Sequence, residues 1–141
     1  MIAPTGHQLL SGKSPMSASS FPAKSLNVKS IAFLILKILL AVLFLAAATA
    51  KLAGAKMMVA EFTLVGLGQW FRYFTAIMEI SGAVLLLWPG RTAHGALVLA
   101  CVCAGAFLAQ IFAIHMDIVH TIILGGIFLA IAWAQRAQLS L

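Results

Sequence analysis

Few side chains in this chain can do chemistry. Its 141 residues include three Asp or Glu, nine Lys or Arg, four His and two Cys. The acids are Glu61, Glu79 and Asp117. Glu79 interrupts an apolar stretch, FTAIMEISGAVLLLWP over 74–89. A carboxylate in hydrocarbon costs at least about 2.5–3.5 kcal/mol on insertion scales. It must therefore be paired or protonated. Lys51 closes the preceding apolar run, and its stem can reach down to the acid. The expected arrangement is an intramembrane polar pair, Lys51 with Glu79, joining two helices. Such a pair can serve packing alone. It can equally handle a proton or bind a ligand.

Other groups cluster near it in the expected topology. Trp70, Phe74 and Met78 precede Glu79 and, with Gln110 and His115, outline a candidate pocket. His115-x-Asp117-x-x-His120 could hold a metal only if its loop folded back, and two satisfied interfacial histidines are the plainer alternative. No metal is expected. Cys101 and Cys103 point about 200° apart on a helix, so they form neither a redox pair nor a chelate. They read as two small buried apolar side chains. Lys37, inside the first apolar run, is given no role. There is no Walker-type loop, no GxSxG, no HExxH and no acidic cluster for magnesium. No catalytic residue can be assigned, and whether the chain is an enzyme stays open.

The elements that must position these groups follow from composition. Hydrophobic residues make up 63% and charged residues 9%, against about 25% charged in a soluble domain. That excludes a soluble monomer, a disordered chain and a nucleic-acid-binding domain. The formal charge of +6 is scattered along the edges of apolar runs, as topology signals and headgroup anchors are. The chain reads as a one-domain, all-α integral membrane protein.

Residues 1–30 hold seven Ser, three Pro, three Lys and no acid, and read as a flexible basic tail. The membrane domain is expected over 31–136. Its first span is Ile31–Ala50, with 18 apolar residues in 20. Ala48-Thr49-Ala50 has the form of a signal-peptidase site, but the long core and Lys37 favour a retained helix. Residues 51–72 suggest a short interfacial helix and a Gly-rich turn. Further spans are expected over Phe71–Trp88, Ala93–Ile114 and Ile118–Trp133. This gives an up-down-up-down four-helix bundle. Glu79 then lies about 10–13 Å deep, at about 1.5 Å per residue. All three acids, Lys51 and Gln110 fall in one half of the bilayer. Loop charges place both termini in the cytoplasm of a cell in whose inner or plasma membrane the protein sits. Ala96, Ala100 and Ala104 form a small-residue stripe suited to packing within the bundle or to a homo-oligomer.

Several segments carry a resemblance. They are AxxAKL at 47–52, LVGLGQW at 64–70, the ExxG at Glu79–Gly82, and a small-residue-rich third span followed by a fourth ending near Trp133. In this order they resemble the DoxX-like family of small four-helix membrane proteins. The resemblance implies association with membrane oxidoreductase complexes, since the family's namesake is similar to a membrane subunit of a thiosulfate:quinone oxidoreductase. It implies no catalytic residue. A quinone-facing role needs only a lipid-accessible pocket and a partner subunit. A structural or assembly factor is the main alternative. A small proton-coupled transporter is less favoured, because small multidrug exporters of this length carry their Glu in the first helix.

Overall fold

The computed structural model describes residues 27–115 and 118–140. The expected tail falls almost wholly outside them, as does Asp117. Among the described residues the chain is all-α, with five α-helices and no strand.

Helix α1 spans Val28–Leu52. It starts earlier than the expected boundary at residue 30. The carbonyl of Asn27 accepts the first bonds, from the N–H groups of Ser30 and Ile31. Lys37 lies one turn beyond Phe33, with its ammonium 5.3 Å from the ring centroid. Gly54, at φ +71°, lets the chain leave α1, since glycine tolerates the left-handed region. Helix α2 spans Lys56–Val65 and has no buried residue. Gly66 and Gly68, both at positive φ, then turn the chain into α3, Gln69–Leu87. The Pro89–Gly90 turn leads to α4, Thr92–Ala109. Helix α4 runs on as a π-helical turn, Gln110–Ile114, which ends at His115 in the left-handed region. Helix α5 spans Val119–Ala134, followed by a 3-10 turn at Arg136–Gln138.

Helix α1 packs on α3, α3 on α4, and α4 on α5. Phe44 of α1 meets Phe128 of α5 edge to face, with centroids 5.2 Å apart. These two rings belong to one apolar core with Leu40, Leu86, Leu99 and Ile131. The tightest crossing is between α3 and α4. A Cβ on Gly95 would stand 2.2 Å from the backbone nitrogen of Leu86. The two backbones are therefore in contact there, an approach that small residues permit between helices in lipid. Ala93 donates its N–H to the Gln138 side chain at 3.1 Å, so the C-terminal turn satisfies one of the free donors at the start of α4.

The outer faces are apolar. Leu39, Val42, Ile77 and Leu129 are all exposed, which suits contact with lipid. Among the described residues, three helices are long and apolar enough to cross a membrane: α1, α3, and α4 with its π turn. Helix α5 is apolar but has only 16 residues. At about 1.5 Å per residue it is shorter than a hydrocarbon core of about 30 Å. The expected small-residue stripe divides in two. Ala96 and Ala100 are buried in the core, whereas Ala104 and Gly105 are exposed.

Candidate functional site

Lys51 lies in the last turn of α1, where a cation is favoured by the helix dipole. Glu79 lies midway along α3. The Lys51 ammonium donates to both carboxylate oxygens of Glu79, at 2.7 and 2.9 Å. The two side chains are 12% and 5% exposed. Each charge meets its counter-charge out of water, which is the condition for burying either one.

A third charged group completes this cluster. Arg72, in the first turn of α3, is buried. Its Nη1 donates to the backbone carbonyl of Lys51, and its Nη2 donates to the Tyr73 hydroxyl at 3.0 Å. The guanidinium also lies 4.6 Å from the Tyr73 ring. It thus adds a second donor to a helix-end carbonyl that also accepts the Gly54 N–H at 3.2 Å. A Cβ on Gly54 would come 3.3 Å from Arg72 Nη1, so that glycine also makes room for the guanidinium. From sequence, Arg72 reads as a loop charge marking topology. Its spacing was the available signal: it precedes Glu79 by seven residues, two turns along the same face.

Beside the pair lies a cavity of about 460 Å³, within the range of about 300–1,000 Å³ usual for small-molecule sites. Its walls are mostly apolar. Leu43, Phe44 and Ala47 come from α1, Phe74 and Met78 from α3, Ala106 and Ala109 from α4, and Leu124 from α5. Met58, Glu61 and Phe62 of α2 also line it. The polar groups on its surface include Lys51, Glu79, Gln110, His120 and Thr121.

Of the pocket residues expected from sequence, Phe74, Met78 and Gln110 line this cavity, whereas Trp70 and His115 do not. Trp70 lies one turn nearer the start of α3 and is 65% exposed. Phe71 takes the inward position there, stacked near Phe74 and 6.0 Å from Phe62 of α2. His115 ends the π turn in a left-handed conformation and is exposed. His120, one helix further on, reaches the cavity instead. The two histidines therefore part company. Among the described residues no three His, Cys, Asp or Glu side chains gather to hold a metal.

The cysteines also differ from expectation in part. Cys103 is buried and Cys101 is exposed, and both are free thiols. Both touch the cavity. One faces inward and the other outward, as their separation around the helix requires.

Gln110 begins the π turn, and Thr121 sits in the first turns of α5. The Thr121 hydroxyl donates to Gln110 Oε1 at 2.6 Å, and His120 Nε2 lies 3.4 Å from the same hydroxyl. The site as a whole is an apolar chamber with an ammonium–carboxylate pair on the α1–α3 side. Such a pair can donate to a carbonyl, accept from a hydroxyl, or exchange a proton with either.

Apolar outer faces, helices of membrane-crossing length and a buried charge pair define a small helical membrane protein. More particularly, the chain belongs to the DoxX-like family, whose profile matches residues 35–135. The match runs from the first third of α1 to just beyond α5, and so takes in the ion pair and the whole cavity. No curated protein and no solved structure matches the chain.

Proposed function

We propose that this DoxX-like protein is a four-helix, up-down-up-down membrane bundle that binds a lipophilic molecule with an oxygen-bearing head, and that it serves as the membrane subunit of a quinone-linked redox complex. Helix α5 completes the bundle, and both termini lie on the cytoplasmic side of the cell membrane. The single observation that carries this reading is the apolar cavity of about 460 Å³ with Lys51 and Glu79 in its wall.

An apolar ring and tail lose little by leaving the bilayer for an apolar chamber. The few polar groups then set orientation. Lys51 Nζ offers a hydrogen bond to a ring carbonyl. When that carbonyl is reduced to a hydroxyl with electrons from a partner subunit, the Lys51 ammonium can supply a proton to its oxygen; when the hydroxyl is oxidised back and the electrons leave to the partner, the Glu79 carboxylate can accept the proton. Helix α2 lies over the chamber with no buried residue of its own. Glycines at positive φ flank it, so it can move without unpacking a core.

The expected experiment is purification from the native membrane in mild detergent, followed by solvent extraction and identification of co-purifying chains. A bound quinone and a redox partner subunit are expected, with the quinone lost in Glu79→Gln. Finding neither contradicts this reading. It would favour a non-enzymatic assembly or structural factor, which the tying of α1 to α3 by Lys51, Glu79 and Arg72 also suits.

A further inference from the structure

We infer that Gln110, His120 and Thr121 form a second polar binding site in the cavity, and that the ligand is an apolar ring carrying an oxygen function at each end. This rests on the reading that the cavity holds a lipophilic, oxygen-bearing molecule, and it specifies the chemistry of that molecule.

The first support is placement. Lys51 and Glu79 bridge α1 to α3, whereas the Thr121–Gln110 bond bridges the end of α4 to the start of α5. Both polar groups line the same cavity, whose apolar lining includes Ala106, Ala109 and Leu124. A chamber with one polar pole orients a ligand with one polar head. A chamber with two poles fits a ligand with two.

The second support is hydrogen-bond accounting. The short Thr121–Gln110 bond uses the hydroxyl hydrogen and one lone pair of the amide oxygen. The Gln110 amide nitrogen, with two hydrogens to give, lies 3.5 Å from His120 Nε2. His120 Nε2 is 3.4 Å from the Thr121 oxygen. Both distances exceed the usual range of about 2.7–3.2 Å. Three polar side chains thus stand on an apolar wall with one good bond among them. His120 is exposed and Gln110 half-buried, so the amide and the ring are accessible to a further partner. A ligand oxygen between the Gln110 amide and the His120 ring would supply the missing partners.

The third support is versatility. His120 Nε2 sits between a donor, the Gln110 amide, and an acceptor, the Thr121 oxygen. One tautomer of the ring accepts there and the other donates. The pole can therefore face a carbonyl or a hydroxyl without moving. The π turn contributes as well. Its characteristic bond runs from the His115 N–H to the Gln110 carbonyl at 2.7 Å. Single π turns in α-helices recur at functional sites, and this one begins at the residue that carries the amide.

The test uses the full chain in lipid nanodiscs and two probes with the same short alkyl tail. One is a 1,4-benzoquinone and the other a cyclohexenone with a single carbonyl. Wild type is expected to bind the quinone about tenfold more tightly, the worth of roughly one extra net hydrogen-bonded contact. In Gln110→Leu/Thr121→Val the two probes should bind alike, at the wild-type affinity for the cyclohexenone. Glu79→Gln should weaken both. His120→Phe keeps the Thr121–Gln110 bond, so it reads the pole even if the double variant fails to fold; its preference for the quinone should fall at least about threefold. Equal binding of both probes by wild type, or a preference unchanged in His120→Phe, overturns the two-pole inference alone. Binding of neither probe overturns the function proposed above together with it.

Discussion

The two ends of this molecule are built on opposite terms. At the end carrying the Pro89–Gly90 turn, α3 and α4 meet backbone to backbone at Gly95, and Leu86, Leu99 and Phe128 fill a core with no accessible surface. At the other end the same helices separate around a cavity of about 460 Å³. Both ends contain small residues, but these serve differently. Gly95 and Ala96 lie against a neighbouring helix, whereas Ala47, Ala106 and Ala109 border open space. Polar contacts hold the open end apart in two pairs of helices. Lys51–Glu79 ties α1 to α3, and Gln110–Thr121 ties α4 to α5. In lipid there is no hydrophobic effect to draw helices together, so association depends on packing and polar bonds. The closed end is held mainly by packing, and the polar bonds between side chains of different spanning helices lie at the open end.

The largest effect should come from breaking the closed end. Gly95→Val drives a side chain into the Leu85–Leu86 backbone, which cannot yield as a side chain can. No stable folded protein should accumulate, as judged by the detergent-soluble, monodisperse fraction. Gly82→Ala should be milder, because its new methyl meets the Leu99 side chain. At the open end, Ala106→Leu should change stability by less than about 1 kcal/mol, since it grows into space. Equal damage from Gly95→Val and Ala106→Leu would erase the contrast between the ends.

The next effect concerns the charge pair. Glu79→Ala leaves the Lys51 ammonium without its counter-charge and should cost about 3–5 kcal/mol. The double change Lys51→Met/Glu79→Leu should cost less than that single change, because no charge is left unpaired. Chemical denaturation in mixed micelles would measure the cycle. Simple additivity would mean that the two side chains do not act as a pair.

Arg72→Met should cost less than Glu79→Ala, about 1–3 kcal/mol, because the Lys51 carbonyl loses the guanidinium but keeps the Gly54 N–H as a donor. It should leave the dimensions of the cavity unchanged, because Arg72 does not line it. A loss larger than that of Glu79→Ala would make Arg72, rather than the ion pair, the main tie between α1 and α3.

Much of this was legible in the sequence where lipid imposes a strong penalty. Glu79 in an apolar run demanded a partner, and the lysine closing the preceding run is that partner. Gly66 and Gly68 marked the turn after a short helix, and Pro89–Gly90 marked the next. Groups whose role depends on rotation about a helix were harder to place. Arg72 stands at the edge of an apolar run, where a cation reads as a topology signal, and only its inward face makes it a cap. The π turn adds a residue to the winding beyond Ala109. That change turns His115 outward, and His120 reaches the cavity from the next helix. Trp70 is near Glu79 in sequence, but it is exposed and lies outside the lining of the chamber. Gly95 gave no signal, because an isolated glycine in an apolar helix does not say which backbone approaches it.

The central claim is that the open end is a binding chamber. The most direct measurement is native mass spectrometry of the intact protein taken from its own membrane, wild type beside Ala106→Phe. The phenylalanine would grow from the cavity wall on α4 and leaves Lys51, Glu79 and the residues of the closed core unchanged in sequence. Wild type should carry a single small lipophilic species at close to one per chain, and Ala106→Phe should fly without it while remaining folded. A wild-type protein that carries nothing, or a species retained equally in Ala106→Phe, would contradict the account.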